Sequence, residues 1–141
     1  MMIAYITSKV ALAIKPGRSA MKKILIVDDD AGTTTLVRHA LKEDGYEVVA
    51  LNDSIKALDV IMNENPDLIL LDYMMPGMNG LSVLDEMRKD QALAKIPVIF
   101  FTVVGDINTK IAAYEAGVRD YITKPVHHQE LLLRVKTLMG S

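Results

Sequence analysis

The chain alternates five short apolar runs with amphipathic stretches at helical spacing, and this alternation restricts the fold more than any other feature. The runs predict strands, and three of them are almost wholly apolar, as strands buried on both faces of a parallel sheet are. The fold class that follows is α/β, a doubly wound parallel sheet of five strands with helices on both faces. The predicted strands cover Ile24–Val27, Tyr46–Leu51, Leu68–Leu71, Val98–Phe101 and Tyr121–Ile122.

Five helices are predicted to alternate with these strands, each with an apolar face turned to the sheet. We expect Leu36 and Val37 of the first helix, Ile55 and Met62 of the second and Met87 of the third to pack inward. Five units are too few for a closed barrel of this type, so the sheet is open. In open parallel sheets the ligand site lies beyond the carboxyl ends of the strands. Functional residues are therefore expected directly after the strands.

The composition narrows the class of protein. A chain of 141 residues fits one domain, and the absence of cysteine excludes disulfides and thiolate metal sites. A net charge of −2 argues against a dedicated nucleic-acid-binding protein, which would be basic. No run approaches the roughly 20 apolar residues of a membrane helix. We expect a soluble, cytoplasmic protein that contacts neither nucleic acid nor membrane directly.

The first 20 residues differ from the rest in charge. Residues 1–20 carry three basic residues and no acid, end near Pro16-Gly17, and precede a second methionine, Met21. The segment is a poor signal peptide, because a lysine interrupts its apolar part. A cloning remnant, an upstream start site and a short packing helix remain open, and we favour the helix. The domain itself is expected over residues 21–141.

Polar side chains stand at the ends of four of the predicted strands. They are Asp28, Asp29 and Asp30 after the first strand, Asp72 after the third, Thr102 after the fourth and Lys124 after the fifth. A helix N-cap would explain Asp30 alone, but that explanation does not extend to Asp72, which follows a buried central strand. If the first and third strands are neighbours, Asp28, Asp29 and Asp72 converge.

Converging carboxylates need a counter-charge. Two of them about 4 Å apart repel by up to about 4 kcal/mol at an effective dielectric constant near 20. A cation or bound protons must therefore neutralise them, and oxygen ligands with room for water suit Mg²⁺ or Mn²⁺. The ammonium of Lys124 and the hydroxyl of Thr102 then suit a phosphoryl group beside the metal. These are the parts that phosphoryl transfer to a carboxylate requires.

Four motifs follow one another along the chain: ILIVDDD, DYMMPGMNG from Asp72, FFT ending at Thr102, and DYITKP ending at Pro125. In this order and spacing they resemble the receiver domain of two-component response regulators. The match covers about residues 22–139. It implies the CheY-like, flavodoxin-like three-layer sandwich with strand order 2-1-3-4-5, which the apolar pattern does not itself supply.

The resemblance implies roles for the acidic residues. Asp72 would be the phosphoacceptor, taking a phosphoryl group from the phosphohistidine of a sensor histidine kinase or a phosphotransfer protein. The side chains of Asp29 and Asp72 and the backbone carbonyl of Met74 would bind Mg²⁺, and Asp28 would hold it through water. By the same resemblance the protein is a signalling domain, and its enzymatic activity is limited to its own phosphotransfer and slow autodephosphorylation.

The resemblance also implies a switch. Lys124 would pair with the phosphoryl group, Thr102 would hydrogen-bond it, and Tyr121 would turn inward as the loop after Thr102 closes. The surface of the fourth helix, fifth strand and fifth helix would then change for an output protein or domain, with a homodimer as one possibility. The bond between Lys124 and Pro125 would be cis, as is usual in the family.

Three residues depart from the family pattern. Val103 follows Thr102 where a smaller residue is usual, so access to the phosphoryl group is narrower. Met74 and Val104 stand where polar residues often orient the hydrolytic water. We therefore predict a long-lived acyl phosphate.

Rival functions use the same residues differently. In a haloacid-dehalogenase-type phosphatase, Asp28 would be the nucleophile and Asp30 the acid and base, although this length leaves little room for a substrate cap. A receiver-like binding module that has lost phosphorylation is a second alternative. A flavodoxin-like FMN carrier is a third, but its phosphate would be repelled by three carboxylates.

Overall fold

The structure, a computed structural model, describes residues 21–103 and 107–140, and the predicted segment 1–20 lies outside them. The strands are β1 (Lys23–Val27), β2 (Glu47–Leu51), β3 (Leu68–Asp72), β4 (Val98–Thr102) and β5 (Asp120–Thr123). The longer helices are α1 (Ala31–Glu43), α2 (Ala57–Glu64), α3 (Gly80–Arg88), α4 (Ile107–Glu115) and α5 (His128–Met139). A 3₁₀ turn, Ser54–Lys56, leads into α2.

The strands form one parallel sheet in the order β2-β1-β3-β4-β5. This confirms the expected order 2-1-3-4-5 and the doubly wound α/β class. β3 and β4 are buried along their whole length, which explains why their sequences are almost unbroken apolar runs. Because β1 lies between β2 and β3, the winding direction reverses there, and the carboxyl ends of β1 and β3 flank the crevice where such sheets bind ligands.

Alternating side chains of each strand cover opposite faces of the sheet. Leu25 and Val27 of β1 pack with α2, α3 and α4, whereas Ile24 and Ile26 pack with α1 and α5. Both faces are thereby filled with apolar side chains. Polar groups of the central strands gather instead at the carboxyl-terminal edge of the sheet.

A sixth helix corrects the prediction of five. It is a single turn, Gln91–Ala94, begun by Asp90, whose carboxylate accepts the backbone N–H of Ala92 at 2.8 Å. Its Leu93 packs into the core. A single turn is too short to show helical periodicity, so the pattern presents this stretch as a connection. None of the described helices combines the length and the apolar character needed to cross a bilayer.

The predicted inward faces are partly wrong. Val37 and Met87 are buried as expected, at 0% and 1% exposure, but Leu36, Ile55 and Met62 are 57%, 73% and 60% exposed. Leu36 lies about 100° around α1 from Val37, and so leaves the buried stripe. Ile55 belongs to the 3₁₀ turn ahead of α2, where helical spacing does not apply. Met62 lies on the solvent side of α2.

Candidate functional site

Three aspartates meet at the carboxyl ends of β1 and β3. Val27 at the end of β1 pairs with Leu71 in β3, so the residues that follow, Asp28 and Asp72, lie side by side. Carboxylate oxygens of Asp28, Asp29 and Asp72 lie within 4.8 Å of one another. The convergence expected from the strand order is therefore present.

The three carboxylates differ in burial and in hydrogen bonding. Asp28 is fully buried, and its Oδ1 accepts the backbone N–H of Asp30 at 2.9 Å. Asp72 is 5% exposed, and its Oδ1 accepts the backbone N–H of Met74 at 3.2 Å. Asp29 is exposed to solvent. The cluster thus has two fixed inner carboxylates and one outer carboxylate.

Lys124 supplies the positive charge of the site. Its backbone N–H donates to the Thr102 carbonyl at 2.7 Å, which places the residue beyond the ends of β4 and β5. Its ammonium lies 2.8 Å from Asp28 Oδ2 and donates a hydrogen bond to Asp72 Oδ2 at 3.3 Å. The peptide bond from Lys124 to Pro125 is cis, as the resemblance implies.

The electrostatics of the site favour a cation. Burial is the main cause that raises the pKa of Asp72 to about 6, and the negative charge of Asp28 is the second. Lys124 opposes both effects. Burial alone would lower the pKa of Lys124, but its contacts with Asp28 and Asp72 raise that pKa overall, so the lysine stays charged. One ammonium therefore leaves three carboxylates incompletely balanced.

The donor set is compatible with a divalent metal ion. Asp28 Oδ2 is buried and accepts no hydrogen bond of ordinary geometry from the described residues, although the Lys124 ammonium lies beside it. Asp29 and Asp72 add further carboxylate oxygens within reach of the same point. Hard cations such as Mg²⁺ bind through carboxylate oxygens and keep several waters, which the exposed side of the site provides.

Met74 borders this cluster, and Val103 follows the neighbouring strand β4 at the same edge of the sheet. The backbone N–H of Met74 bonds Asp72, and the side chain of Met74 is 65% exposed. Val103 follows β4 and is 62% exposed. Val104, the third residue that departs from the family pattern, lies outside the described residues. Two apolar side chains thus project to solvent near the phosphoacceptor candidate.

Thr102 and Tyr121 are engaged locally. The Thr102 hydroxyl donates to the Val103 carbonyl at 2.8 Å. The partly buried ring of Tyr121 meets Tyr114 edge to face, with ring centroids 5.7 Å apart, and the Lys110 ammonium lies 4.9 Å from its centroid. Thr102 is therefore bonded to the residue that follows it, and the Tyr121 ring contacts two side chains of α4.

Asp30 takes no part in the cluster. Its carboxylate accepts the backbone N–H of Gly32 at 3.1 Å and the hydroxyl of Thr33 at 2.7 Å, as a helix N-cap does. These hydrogen bonds lower the pKa of Asp30, and the bond from the Thr33 hydroxyl has the largest effect. Asp30 is therefore used to begin α1, which leaves it poorly suited to the acid and base role of a phosphatase.

One residue of the site escaped the sequence argument. Asn52 follows β2, and its side-chain amide donates to the backbone carbonyl of Asp28 at 2.8 Å. A signal was present, since Asn52 is polar and directly follows a strand, as Asp28 and Asp72 do. The expected strand order places β2 beside β1, but it does not show which polar side chain after β2 reaches the turn that follows β1.

Comparison with known proteins agrees with this geometry. Residues 24–136 match the family model described as the response regulator receiver domain. The chain is 40% identical over 119 residues to the DNA-binding dual master transcriptional regulator RpaA of Synechocystis, covering 84% of this chain and 49% of RpaA. It is 40% identical over 118 residues to the phosphate regulon transcriptional regulatory protein PhoB of Pseudomonas aeruginosa, covering 84% of this chain and 52% of PhoB. The chain thus spans about half the length of these relatives.

A solved structure matches the fold over nearly the same range. The chemotaxis protein CheY4 of Vibrio cholerae superposes with a TM-score of 0.80 at 28% sequence identity. The superposition covers 85% of this chain and 100% of CheY4. Sequence and fold comparisons therefore point to the same family.

Proposed function

Since the chain belongs to the response regulator receiver domain family and is a signalling domain of a two-component system, we propose that Asp72 is its phosphoacceptor. One observation carries this assignment. The Asp72 carboxylate ends a buried central strand, lies within 4.8 Å of oxygens of two other aspartates, and accepts a hydrogen bond from the Lys124 ammonium at 3.3 Å. A carboxylate so placed is fixed, flanked by charge and reachable from the sheet edge.

The transfer step uses Asp72 as a nucleophile. One carboxylate oxygen attacks the phosphorus of a phosphohistidine on the partner, the P–N bond breaks, and the imidazole nitrogen keeps the electron pair and is protonated. The product on this chain is an acyl phosphate, a mixed anhydride of Asp72. With the pKa of Asp72 raised to about 6, the carboxylate is mainly ionised at neutral pH and can attack.

The remaining residues of the pocket neutralise the incoming charge. A Mg²⁺ or Mn²⁺ ion held by Asp28, Asp29, Asp72 and the backbone carbonyl of Met74 would supply positive charge to the phosphoryl oxygens. Lys124 already contacts Asp72, and its ammonium transfers a hydrogen bond from the carboxylate to the phosphoryl group. Phosphorylation adds nearly two negative charges at this point, so both cations are needed.

Thr102 and Tyr121 would couple this charge to the surface. The Thr102 hydroxyl now donates to the Val103 carbonyl and would exchange that bond for one to a phosphoryl oxygen. The change would let the Tyr121 ring leave its contact with Tyr114. Such a switch is a two-state equilibrium biased by new charge.

The output surface would be formed by α4, β5 and α5. Asp120 of β5 pairs with Arg134 of α5 at 2.8 Å, and Tyr114 and Lys110 of α4 both contact the Tyr121 ring of β5. We propose that an output protein or domain, or a second copy of this chain, reads this surface. The phosphoryl donor would be a sensor histidine kinase or a phosphotransfer protein.

A direct test is phosphorylation by a small acyl phosphate. Wild-type protein incubated with acetyl phosphate and Mg²⁺ should gain one phosphoryl group, observed by intact mass. Asp72→Asn should abolish the gain, whereas Asp30→Asn, which alters only the cap of α1, should retain it. Loss of the gain in an Asp28→Asn variant together with its persistence in the Asp72 variant would instead indicate the phosphatase assignment.

We further propose that the acyl phosphate is long-lived. The exposed Met74 thioether offers no strong hydrogen bond to an attacking water, and Val103 adds a β-branched side chain beside the site. Met74→Asn should therefore shorten the phosphoryl half-life, measured after removal of the donor. A wild-type half-life of seconds, unaltered by this substitution, would contradict the proposal.

A further inference from the structure

Asn52 joins the end of β2 to the turn that carries two of the three aspartates. Its side-chain amide donates to the Asp28 carbonyl at 2.8 Å and to the Thr34 hydroxyl at 3.1 Å. Asp28 begins the turn between β1 and α1, and Thr34 lies in the first part of α1. The amide therefore ties β2 to both sides of this turn.

The end of β2 holds both backbone polar groups of Asp28. The Asp28 N–H donates to the Leu51 carbonyl at 3.0 Å, which extends the pairing of β1 with β2 by one residue. Asn52 then holds the carbonyl of the same residue. With both of its backbone polar groups bonded to the end of β2, Asp28 has a fixed side-chain direction, and the path of the chain toward Asp29 is fixed with it.

The chemistry of the two acceptors favours an amide at this position. The side chain of asparagine carries two N–H donors on one nitrogen, and here each points at an oxygen. A carboxylate of the same shape has no donor at neutral pH, and alanine does not reach. Groups that orient metal ligands from behind typically change metal affinity by about 10–100-fold when removed.

We propose that Asn52 is a positioning residue, which acts through the Asp28 backbone to set the carboxylates of Asp28 and Asp29 for a divalent cation. The inference rests on the proposed function of the acidic cluster. Among the described residues, the Asn52 amide bonds Asp28 and Thr34 and not the reacting carboxylate of Asp72. Its effect should consequently appear in cation affinity before it appears in the transfer step.

The test is the Mg²⁺ dissociation constant of the full chain, measured by isothermal titration calorimetry beside urea unfolding in chelator. Asn52→Ala should weaken Mg²⁺ binding by about tenfold, the lower end of such effects, because it removes a bond to the ligand's backbone. Asn63→Ala, which removes an exposed amide on α2, should leave the affinity unchanged. At saturating Mg²⁺, phosphoryl uptake by the Asn52 variant from acetyl phosphate should return to the wild-type level.

Mg²⁺ affinity of a folded Asn52→Ala protein within twofold of wild type would overturn the inference. If that variant does not fold, Asn52→Leu decides, because it removes both N–H donors and keeps the approximate shape of the side chain. It should weaken Mg²⁺ binding by about tenfold, and an unchanged affinity would overturn the role of Asn52. A wild-type protein that takes up neither Mg²⁺ nor a phosphoryl group would overturn the proposed function itself.

Discussion

The acidic pocket and the switch region lie at the same edge of the sheet but differ in how their side chains are bonded. In the pocket, Asp28 and Asp72 are buried, each accepts a backbone N–H, and both contact the Lys124 ammonium. In the switch region, the Thr102 hydroxyl bonds the carbonyl of the next residue, and Tyr121 rests on α4 through its ring.

This difference separates the proposed chemistry from the proposed response. In the proposed chemistry the pocket side chains keep their positions, because separating the two buried carboxylates from the Lys124 ammonium would leave buried charge unpaired at a cost of several kcal/mol. The switch contacts are a neutral hydrogen bond and aromatic contacts, each worth about 1 kcal/mol, so new charge can exchange them. Substitutions in the pocket should therefore change stability and cation binding far more than substitutions in the switch region.

The largest expected effect is that of Lys124→Met. The variant leaves two buried carboxylates without their shared ammonium, which we expect to lower the free energy of unfolding by about 2–3 kcal/mol at pH 7 in chelator. The loss should shrink as the pH falls, because Asp72 then becomes protonated, and its pKa is already raised to about 6 in the presence of Lys124, which lowers it. Added Mg²⁺ should also reduce the loss. Urea unfolding across this pH range measures both effects.

Lys89→Met is the matched control. Lys89 also pairs with a carboxylate, that of Glu86 at 2.7 Å, but on the exposed surface of α3. Solvent screens this pair, so its loss should change stability little at any pH. If the free energy of unfolding falls equally in the two variants, the Lys124 pairs in the pocket are no more stabilising than an ordinary surface pair.

Asp72→Asn should instead stabilise the cation-free protein. The pKa of Asp72 is about 6 in the folded chain and near 3.8 otherwise, so its ionisation costs folding free energy as the pH rises through this window. Removing the charge should raise the free energy of unfolding by about 2 kcal/mol at pH 7 and change it little near pH 4. Thermal unfolding in chelator at both pH values measures the difference, and a destabilised variant at pH 7 would refute this reasoning.

How far the sequence predicted this molecule depends on the kind of interaction involved. The pairing of Asp28 with Asp72 followed from apolar strands and from the order implied by the family motifs, because parallel strands bring their ends to one edge. The exposure of Ile55 and the contact of Asn52 with Asp28 depend on a 3₁₀ turn and on the register of β2, which neither periodicity nor motif encodes. The meeting of the aspartates at the ends of β1 and β3 was therefore predictable, and the contacts made by the 3₁₀ turn and by the residue after β2 were not.

Thr102→Ala tests the switch region with a smaller effect. Loss of the hydroxyl bond to Val103 should lower the free energy of unfolding by about 1 kcal/mol and leave Asp72 able to accept a phosphoryl group. The response of the Tyr121 ring to phosphorylation, observed as a change in its NMR chemical shifts, should be lost. Thr102→Ser retains the hydroxyl and should retain the response. Loss of phosphoryl uptake in the alanine variant would place Thr102 functionally in the pocket.

The smallest expected effect concerns the contact between Lys110 and Tyr121, with the ammonium 4.9 Å from the ring centroid. A double-mutant cycle of Lys110→Ala and Tyr121→Leu should give a coupling energy of about 0.5 kcal/mol, typical of a cation beside a partly exposed ring. A contact this weak can be lost when phosphorylation adds charge. α4 could then shift against β5. A coupling of 2 kcal/mol or more would make α4 as firmly held as the pocket, and the proposed response would then need a different moving element.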